Sequence, residues 1–494
     1  MPSFDLSKKK DSTFEKWMKI TGILIALVIF AAIYTMPTPV AMTVQTKSSM
    51  AVFFMVFVLW VTQAIPTYAS ALVALVMLVL TGGWDQNSAL LVFGQDVIWL
   101  MLSAFIITAG MEKSGFAKRI ALFIVSKFGT TTKKALLALC VVNLILAFVV
   151  PSTTARAAML FPICLMILKV YKAVPGESNF GRQVMLQEIH ANNITTSGIL
   201  TATSGQILAV SYISSMGGAD VTWGKWLIAG MPIAIATLIV SVVLGNILYK
   251  PEFDTPPAEA ANTGAADGEM SIKDQYKALG KITPLEIKAI VIFVLTIFLW
   301  ATDGHHIQIF GFQISLVMVA VLSAALFFMP YIGLINWKES NIPWDLMIFS
   351  CGAYAVGLSL DASGAASFLL NKALGQFDLA AMNPFVLYMI VMFIASFSHL
   401  VFTSKTVRVV ILIPTIVGLA KSLGLNPLTM ALPAAFTICD SITLPPHCKP
   451  NLIFYSSGYF NVKEQFVYGM LVLFAKWLIL GAAYFTWFRV VGIV

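Results

Sequence analysis

The sequence predicts an all-α polytopic membrane protein, and three observations carry that prediction. Of 494 residues, 59% are hydrophobic and only 11% charged, against roughly 25% charged in an average globular chain. The apolar runs are long and do not alternate, which excludes an outer-membrane barrel. A short polar motif also interrupts two of these runs, half a chain apart. It reads Pro151-Ser152-Thr153-Thr154-Ala155-Arg156 in the first half and Thr403-Ser404-Lys405-Thr406-Val407-Arg408 in the second. Pro162 and Pro414 stand at matching places downstream, and the offset from Ser152 to Ser404 is 252 residues. Polar groups at membrane depth are costly. Two copies of that cost suggest one site built from two repeats.

Topology follows from the basic residues. The first apolar run, Ile20 to Met36, follows Lys8, Lys9 and Lys10 and lacks a small-residue cleavage site, so it reads as a retained first helix. Lys and Arg gather at the N-terminus, Lys113 to Lys134, Lys169 to Arg182, Lys250 to Lys288, Lys338 and Lys463. The intervening connections hold little beyond Lys47, Lys225 and Lys372, and the His305-His306 loop has none. This alternation places the N-terminus in the cytoplasm and the C-terminus outside. The net charge of +8 therefore reports orientation against membrane lipids and not a nucleic-acid partner.

Spans are expected near 20–36, 48–64, 67–81, 96–111, 184–213, 225–249, 285–301, 312–329, 344–360, 427–458 and 464–488, eleven in all. Two further stretches do not read as single crossings. Ala135 to Leu168 is flanked by Lys133-Lys134 and by Lys169 and Lys172, so both its ends are cytoplasmic and it must enter and return. Phe385 to Leu419 turns near Thr403-Ser404 and by the same logic enters from outside. Irregular backbone at that depth needs burial or a wet cavity.

The expected organisation is an N-terminal segment and first helix (1–47), repeat 1 (48–249, hairpin 135–170), a cytoplasmic linker (250–284) and repeat 2 (285–494, hairpin 384–420). A second correspondence supports it. Glu112-Lys113-Ser114-Gly115 parallels Asp361-Ala362-Ser363-Gly364, each at the end of a span, with an offset of 249 from Gly115 to Gly364. Glu112 and Asp361 read as capping or interface residues. Five crossings per repeat make the second copy inverted. The Pro-, Ala-, Gly- and acid-rich stretch from Pro251 to Gly280 reads as flexible.

At each hairpin tip a new helix arm begins with Ser and Thr where N-cap residues belong. Free N–H groups and the positive end of the helix dipole then suit an anion. Arg156 and Arg408 lie four residues after Ser152 and Ser404, on the same helical face. Two such half-sites would hold a small dianion between them. If the hydroxyls only cap and the arginines pair with acids, Lys405 stays unexplained, because Asp440 is the one acid near the middle of a late span.

The span after each hairpin is interrupted too, by Thr201-Ala202-Thr203-Ser204-Gly205-Gln206 in the first repeat. The second carries Ser441 to Asn451, including Pro445-Pro446-His447-Cys448-Lys449-Pro450. Such prolines cannot sit inside a regular helix, so backbone amides and carbonyls there are expected to face ligand. His447 and Lys449 either meet the substrate or lie near the interface. Cys140, Cys164, Cys351, Cys439 and Cys448 read as small core residues. His190, His305, His306, His399 and His447 are scattered, without metal-ligand or nucleophile–base spacing. No enzyme, catalytic residue, metal or cofactor is expected.

With these motifs the chain resembles the divalent anion/sodium symporter (DASS) family over nearly its whole length. The matching residues are Ser152-Thr153-Thr154 and Ser404-Lys405-Thr406 in place of two Ser-Asn-Thr motifs. Trp60 to Pro66 (Trp-x-x-Gln-Ala-Ile-Pro), Thr203 to Gln206, and Pro450-Asn451 also match. The resemblance implies a homodimer, and an elevator-type arrangement of scaffold and transport domains. It further implies that the two motifs bind substrate carboxylates beside sodium sites. Substrate contacts are thus expected from Ser152, Thr153, Thr154, Arg156, Thr203, Ser204, Gly205, Ser404, Lys405, Thr406, Arg408 and His447.

Both motif asparagines are replaced here, by Thr153 and Lys405. A fixed ammonium can stand in for a bound cation, so Lys405, with Arg156, reads as a cation surrogate. The chain then looks more like the family's sodium-independent exchangers. The expected function is sodium-independent antiport of C4–C5 dicarboxylates (2-oxoglutarate, malate or succinate type) in a bacterial plasma membrane. The alternative is a sodium-coupled di- or tricarboxylate symporter, which would accumulate substrate without counter-substrate. Opposed hairpins disfavour an anion channel, and two separated half-sites disfavour sulfate or phosphate.

Overall fold

A computed structural model describes residues 13–39, 42–128, 131–255, 272–365, 368, 381–402 and 404–494. Lys8, Lys9, Lys10, Lys372, Thr403 and residues 256–271 of the expected linker lie outside these. The described residues are helical with no strand. Eight helices among them are long and apolar enough to cross a membrane. They include both arms of the first hairpin, whereas the expected spans 184–213 and 427–458 are broken and do not qualify.

Two compact units form. The first holds α1 (Thr13–Thr35), α2 (Val44–Thr62), α3 (Thr67–Leu80), α4 (Gln86–Leu91) and a later helix, Trp344–Ala362. The Trp60-to-Pro66 motif ends α2 and forms its turn into α3. Gln63 ends α2 in the left-handed region (φ 48°), and Pro66 opens α3. Trp60 Nε1 donates to Ser70 Oγ across the turn at 2.9 Å, and its ring packs edge-on to Phe349 at 5.6 Å. Gly352 lets the later helix touch α3, since a Cβ there would sit 2.6 Å from that of Ala71.

The second unit begins with α5 (Asp96–Ser114) and α6 (Phe116–Phe128). It continues with α7 (Thr132–Val149) and α8 (Thr153–Val170), joined through Val150–Ser152 as the first hairpin. Then come α9 (Asn179–Ser197), α10 (Ser204–Gly217), α11 (Trp223–Leu248), α12 (Ile272–Ala278), α13 (Pro284–Ala301), α14 (His306–Phe310) and α15 (Leu316–Phe328). The helix Trp344–Ala362 of the first unit is α16. The second hairpin is α17 (Pro384–Phe397), a 3₁₀ turn at Ser398–Leu400, and α18 (Lys405–Ser422). The chain closes with α19 (Pro427–Ala435), α20 (Lys449–Tyr455), α21 (Val462–Phe485) and α22 (Trp487–Val490).

One part of the expected linker is folded. The apolar side chains of Ile272, Tyr276 and Leu279 pack on the core that α6 shares, with Tyr276 against Phe123. Arg119 on α6 secures the following turn by donating to the carbonyls of Leu279, Gly280 and Lys281 and by an ion pair to Glu286 at 2.6 Å.

The most polar long helix is also the most buried. On α9, Gln183, Gln187, Glu188, His190, Asn192, Asn193, Thr195, Thr196 and Ser197 are all buried, enclosed by α7, α8, α11 and α20. Buried polar groups need partners, and this helix is where the hairpins find theirs. The hairpins are also interlaced: α8 packs on α20 and α18 packs on α10, so each second arm rests on a helix from the other half of the sequence.

Local geometry recurs between the halves. Ile199 and Thr203 are extended on either side of a 3₁₀ turn over 200–202. Leu444 and Cys448 are extended around 445–447, an offset of 245 from Thr203 to Cys448. Gln206 Nε2 donates to Thr196 O at 2.8 Å, and Asn451 Nδ2 makes the corresponding bond to Ser441 O at 2.7 Å. Glu112 and Asp361 are exposed, and their carbonyls accept from Gly115 and Gly364, both with positive φ.

Candidate functional site

Each hairpin tip is an N-cap. Ser152 is extended and its Oγ accepts from Ala155 N–H at 3.2 Å; Ser404 does the same for Val407 N–H at 3.3 Å. Thr203 also precedes its helix in extended conformation, but its hydroxyl caps nothing, leaving the first-turn amides of α10 without a side-chain acceptor. Ser152, Thr153, Thr154, Thr203, Ser204, Ser404 and Lys405 are partly exposed, while Gly205 and Thr406 are buried.

Both tips converge on consecutive residues of α9. Asn192 Nδ2 donates to the carbonyl of Thr153 at 2.8 Å, and Lys405 Nζ donates to Asn193 Oδ1 at 2.7 Å. The sequence reading missed this pair. The available signal was two adjacent asparagines inside a stretch read as a span.

The arginines differ from the expectation. Arg156 and Arg408 are wholly buried and committed to protein. Arg408 donates to Ala395 O (2.7 Å), Ile438 O (2.9 Å), Ser398 Oγ (2.9 Å) and Ser441 Oγ (3.3 Å). Arg156 reaches Asn143 O and Thr195 Oγ1, each at 3.5 Å, Asn192 O at 3.4 Å, and Thr196 Oγ1. The logic is doubled. Each guanidinium ties its own arm to a carbonyl of the preceding arm, Asn143 or Ala395, and to a hydroxyl at the following break, Thr196 in the last turn of α9 or Ser441. Through these bonds they stitch the hairpins in place. Asn143, whose carbonyl Arg156 reaches, also donates its Nδ2 to the buried Glu188 of α9 at 2.9 Å.

The acid singled out in the sequence has another partner. Asp440 Oδ2 pairs with Lys476 Nζ at 2.6 Å, both side chains fully buried. Lys476 also donates to Phe436 O at 2.8 Å and to Ser197 Oγ at 3.3 Å, so one lysine of α21 pins both breaks. Among the described residues the hydrogen-bond partner of the Lys405 ammonium is the neutral amide of Asn193, and no acid pairs with it.

The second break is less open than expected. Its carbonyls at Phe436, Ile438, Ser441, Ile442 and Leu444 accept from Lys476, Arg408, Asn451, Gln465 and again Asn451. Cys448, read as a core residue, is half-buried with its thiol 3.0 Å from Asn451 Oδ1. His447 is nearly buried and meets His399 (ring centroids 5.1 Å apart), so two of the scattered histidines come together. No group of three or more His, Cys, Asp or Glu among the described residues is placed to hold a metal ion.

Comparison with known proteins accords with this geometry. The family model described as "Sodium:sulfate symporter transmembrane region" matches residues 17–494. A relative from Staphylococcus saprophyticus, the sodium-dependent dicarboxylate transporter SdcS, is 25% identical, covering 93% of this chain and 89% of its own. The citrate/succinate antiporter of Escherichia coli K12 is 24% identical, covering 93% of this chain and 96% of its own. Among solved structures the Alcanivorax borkumensis YdaH transporter shares the fold, with TM-score 0.54 at 12% identity, covering 95% of this chain and 97% of that one. This chain is an integral membrane transporter, not an enzyme, and it belongs to the sodium:sulfate symporter family of divalent-anion transporters.

Proposed function

We propose that this chain exchanges C4–C5 dicarboxylates of the 2-oxoglutarate, malate and succinate type across the membrane by alternating access, without sodium. The observation that carries this reading is Lys405: a partly exposed ammonium at a hairpin tip whose partner among the described residues is the uncharged Asn193. An empty site keeps that charge uncompensated, and moving it through low dielectric is strongly disfavoured. A bound dianion removes the penalty, so the loaded carrier moves and the empty one does not.

Ligand carboxylates are met by Ser152, Thr153 and Thr154 at one tip and by Ser404, Lys405 and Thr406 at the other. Thr203, Ser204 and Gly205 close the site from the first break and His447 from the second. Arg156 and Arg408 hold the tips from behind. The names of the two relatives support the substrate class and divide over coupling, since one is sodium-dependent and the other an antiporter. The SdcS likeness favours a second reading, sodium-coupled symport. The replacement of the motif asparagines by Thr153 and Lys405 weighs against it.

Transport would proceed by elevator-like motion of the hairpin-bearing part against a scaffold. The host is a homodimer in a bacterial plasma membrane, with two inverted repeats, a cytoplasmic N-terminus and an external C-terminus. Proteoliposomes test the core of this reading. Vesicles loaded with succinate or malate should take up labelled dicarboxylate in sodium-free medium, and empty vesicles should not. Sodium-driven uptake into empty vesicles at the same rate would overturn it.

A further inference from the structure

Beside the second hairpin lies a hydrogen-bonded chain of which the transport reading uses only His447. His399 follows α17, and its Nδ1 is 2.8 Å from the carbonyl of Ser396. A carbonyl carries no proton, so this Nδ1 is the donor. In the neutral ring Nε2 is then an acceptor, and Thr443 Oγ1, 2.8 Å away, donates to it. The Thr443 hydroxyl has one proton, so toward His447 Nδ1 at 3.3 Å it can only accept. One consistent tautomer assignment results: both histidines carry their proton on Nδ1, and the Nε2 lone pair of His447 is left over. Among the described residues no group hydrogen-bonds that nitrogen.

The charges around the pair come from three elements. From α18, Arg408 acts on both rings and bonds Ser398, the neighbour of His399. On the break itself Asp440 is spent on Lys476 of α21. The α21 surface against Thr443 is Gly469, where a Cβ would lie 2.9 Å from Thr443 Cα, with Gln465 donating to Ile442 O nearby. Among the described residues no carboxylate pairs with either ring to balance a proton on it. A positive charge there is compensated only when an anion occupies the site.

We propose that His399, Thr443 and His447 form a proton-binding relay that takes up a proton at His447 Nε2 when the anion binds, making this transporter's ligand binding proton-linked. The inference rests on the dicarboxylate reading and adds to it a charge that is absent from the empty site. The proton comes from cavity water and lands on a nitrogen lone pair, giving an imidazolium whose two N–H groups face Thr443 and the site. Thr443 is a positioning residue that fixes which nitrogen remains available.

Calorimetric titration of the purified full chain with fumarate at about pH 7 tests this, repeated in buffers of different ionisation enthalpy. Fumarate keeps both carboxyls ionised there, so the slope of apparent enthalpy against buffer enthalpy counts protons taken up by the protein. The expected slope is between zero and one proton for the wild type. In His447→Gln the slope per fumarate bound should fall to near zero, whatever the change in affinity, and in Thr443→Val, a residue outside the assigned ligand contacts, it should change with the tautomer lock gone. Should His447→Gln fail to fold, Thr443→Val, which removes one hydroxyl at nearly constant volume, carries the test with His399→Asn. A zero slope in the wild type, or a wild-type slope in the variants, overturns the relay and leaves the exchange reading intact. No fumarate heat in any buffer overturns the dicarboxylate reading and the relay together.

Discussion

Lys405 Nζ lies 2.7 Å from Asn193 Oδ1, across 212 residues of sequence. It is a lysine at the tip of the second hairpin resting on the buried polar helix that also holds the first tip through Asn192. Among the described residues that cation has a hydrogen bond and no acid paired with it, and the proposed exchange cycle depends on the difference.

Replacing Lys405 by Asn should therefore lower sodium-free dicarboxylate exchange by tenfold or more, about 1.4 kcal/mol of lost stabilisation of the loaded state. The check is initial-rate exchange in proteoliposomes with and without sodium. Unchanged sodium-free exchange would mean that the ammonium is not the resident cation.

Arg156→Lys and Arg408→Lys should lower thermal stability, because a lysine cannot reproduce four donor contacts in a fixed fork. Leaving buried carbonyls and hydroxyls unpaired costs about 1–3 kcal/mol for each group. Melting curves in detergent, taken with and without saturating succinate, measure this. A variant that melts like the wild type but binds succinate poorly would return the arginines to the ligand.

The buried pair Asp440–Lys476 gives a sharper contrast. Lys476→Met or Asp440→Leu alone strands a charge, at a cost of about 3–5 kcal/mol, whereas the double change removes both charges and should recover much of the loss. A double-mutant cycle on melting temperature reads the coupling. Additive effects would show that the contact contributes nothing.

At the surface, Lys113 donates to both oxygens of Glu339, at 2.7 and 2.8 Å. That bond holds the Glu339 carboxyl below its ordinary value. A lowered folded-state value means the contribution is present above the unfolded carboxylate value, about pH 4.3, and is lost as pH falls through the folded one. The melting-temperature difference between wild type and Glu339→Gln should be small and flat above that pH and shrink below it. A difference that grows on acidification contradicts the assignment.

In the first unit, Gly352→Val should destabilise strongly, since even a Cβ would meet Ala71 Cβ at 2.6 Å and its carbonyl at 2.7 Å. Pairing it with Ala71→Gly should restore part of the melting temperature. If the single variant melts normally, α3 and α16 are not in the close contact described.

Much of this molecule is legible along the chain, because the signals are local. Long apolar runs mark the membrane class. Ser152, Ser404 and the Pro445-Pro446 pair mark where helices must stop, since caps and prolines act within a few residues. The doubled Ser-x-Thr-x-Arg motif likewise pointed to paired helix-turn-helix elements, and α7–α8 and α17–α18 have that form.

The assignment of partners is a different matter. From sequence, Arg156, Arg408, Lys405 and Lys476 are four cations and Asp440 is an acid, with nothing local to pair one with another. The tertiary structure gives Asp440 to Lys476, spends both arginines on carbonyls and hydroxyls of the hairpins and breaks, and leaves Lys405 on Asn193. It also joins His399 to His447 through Thr443, from positions read as scattered. The physical reason is that a buried charge takes whichever donor or acceptor packing brings within about 3 Å. In a fold of interlaced hairpins, that neighbour is set by contacts between helices far apart in the chain.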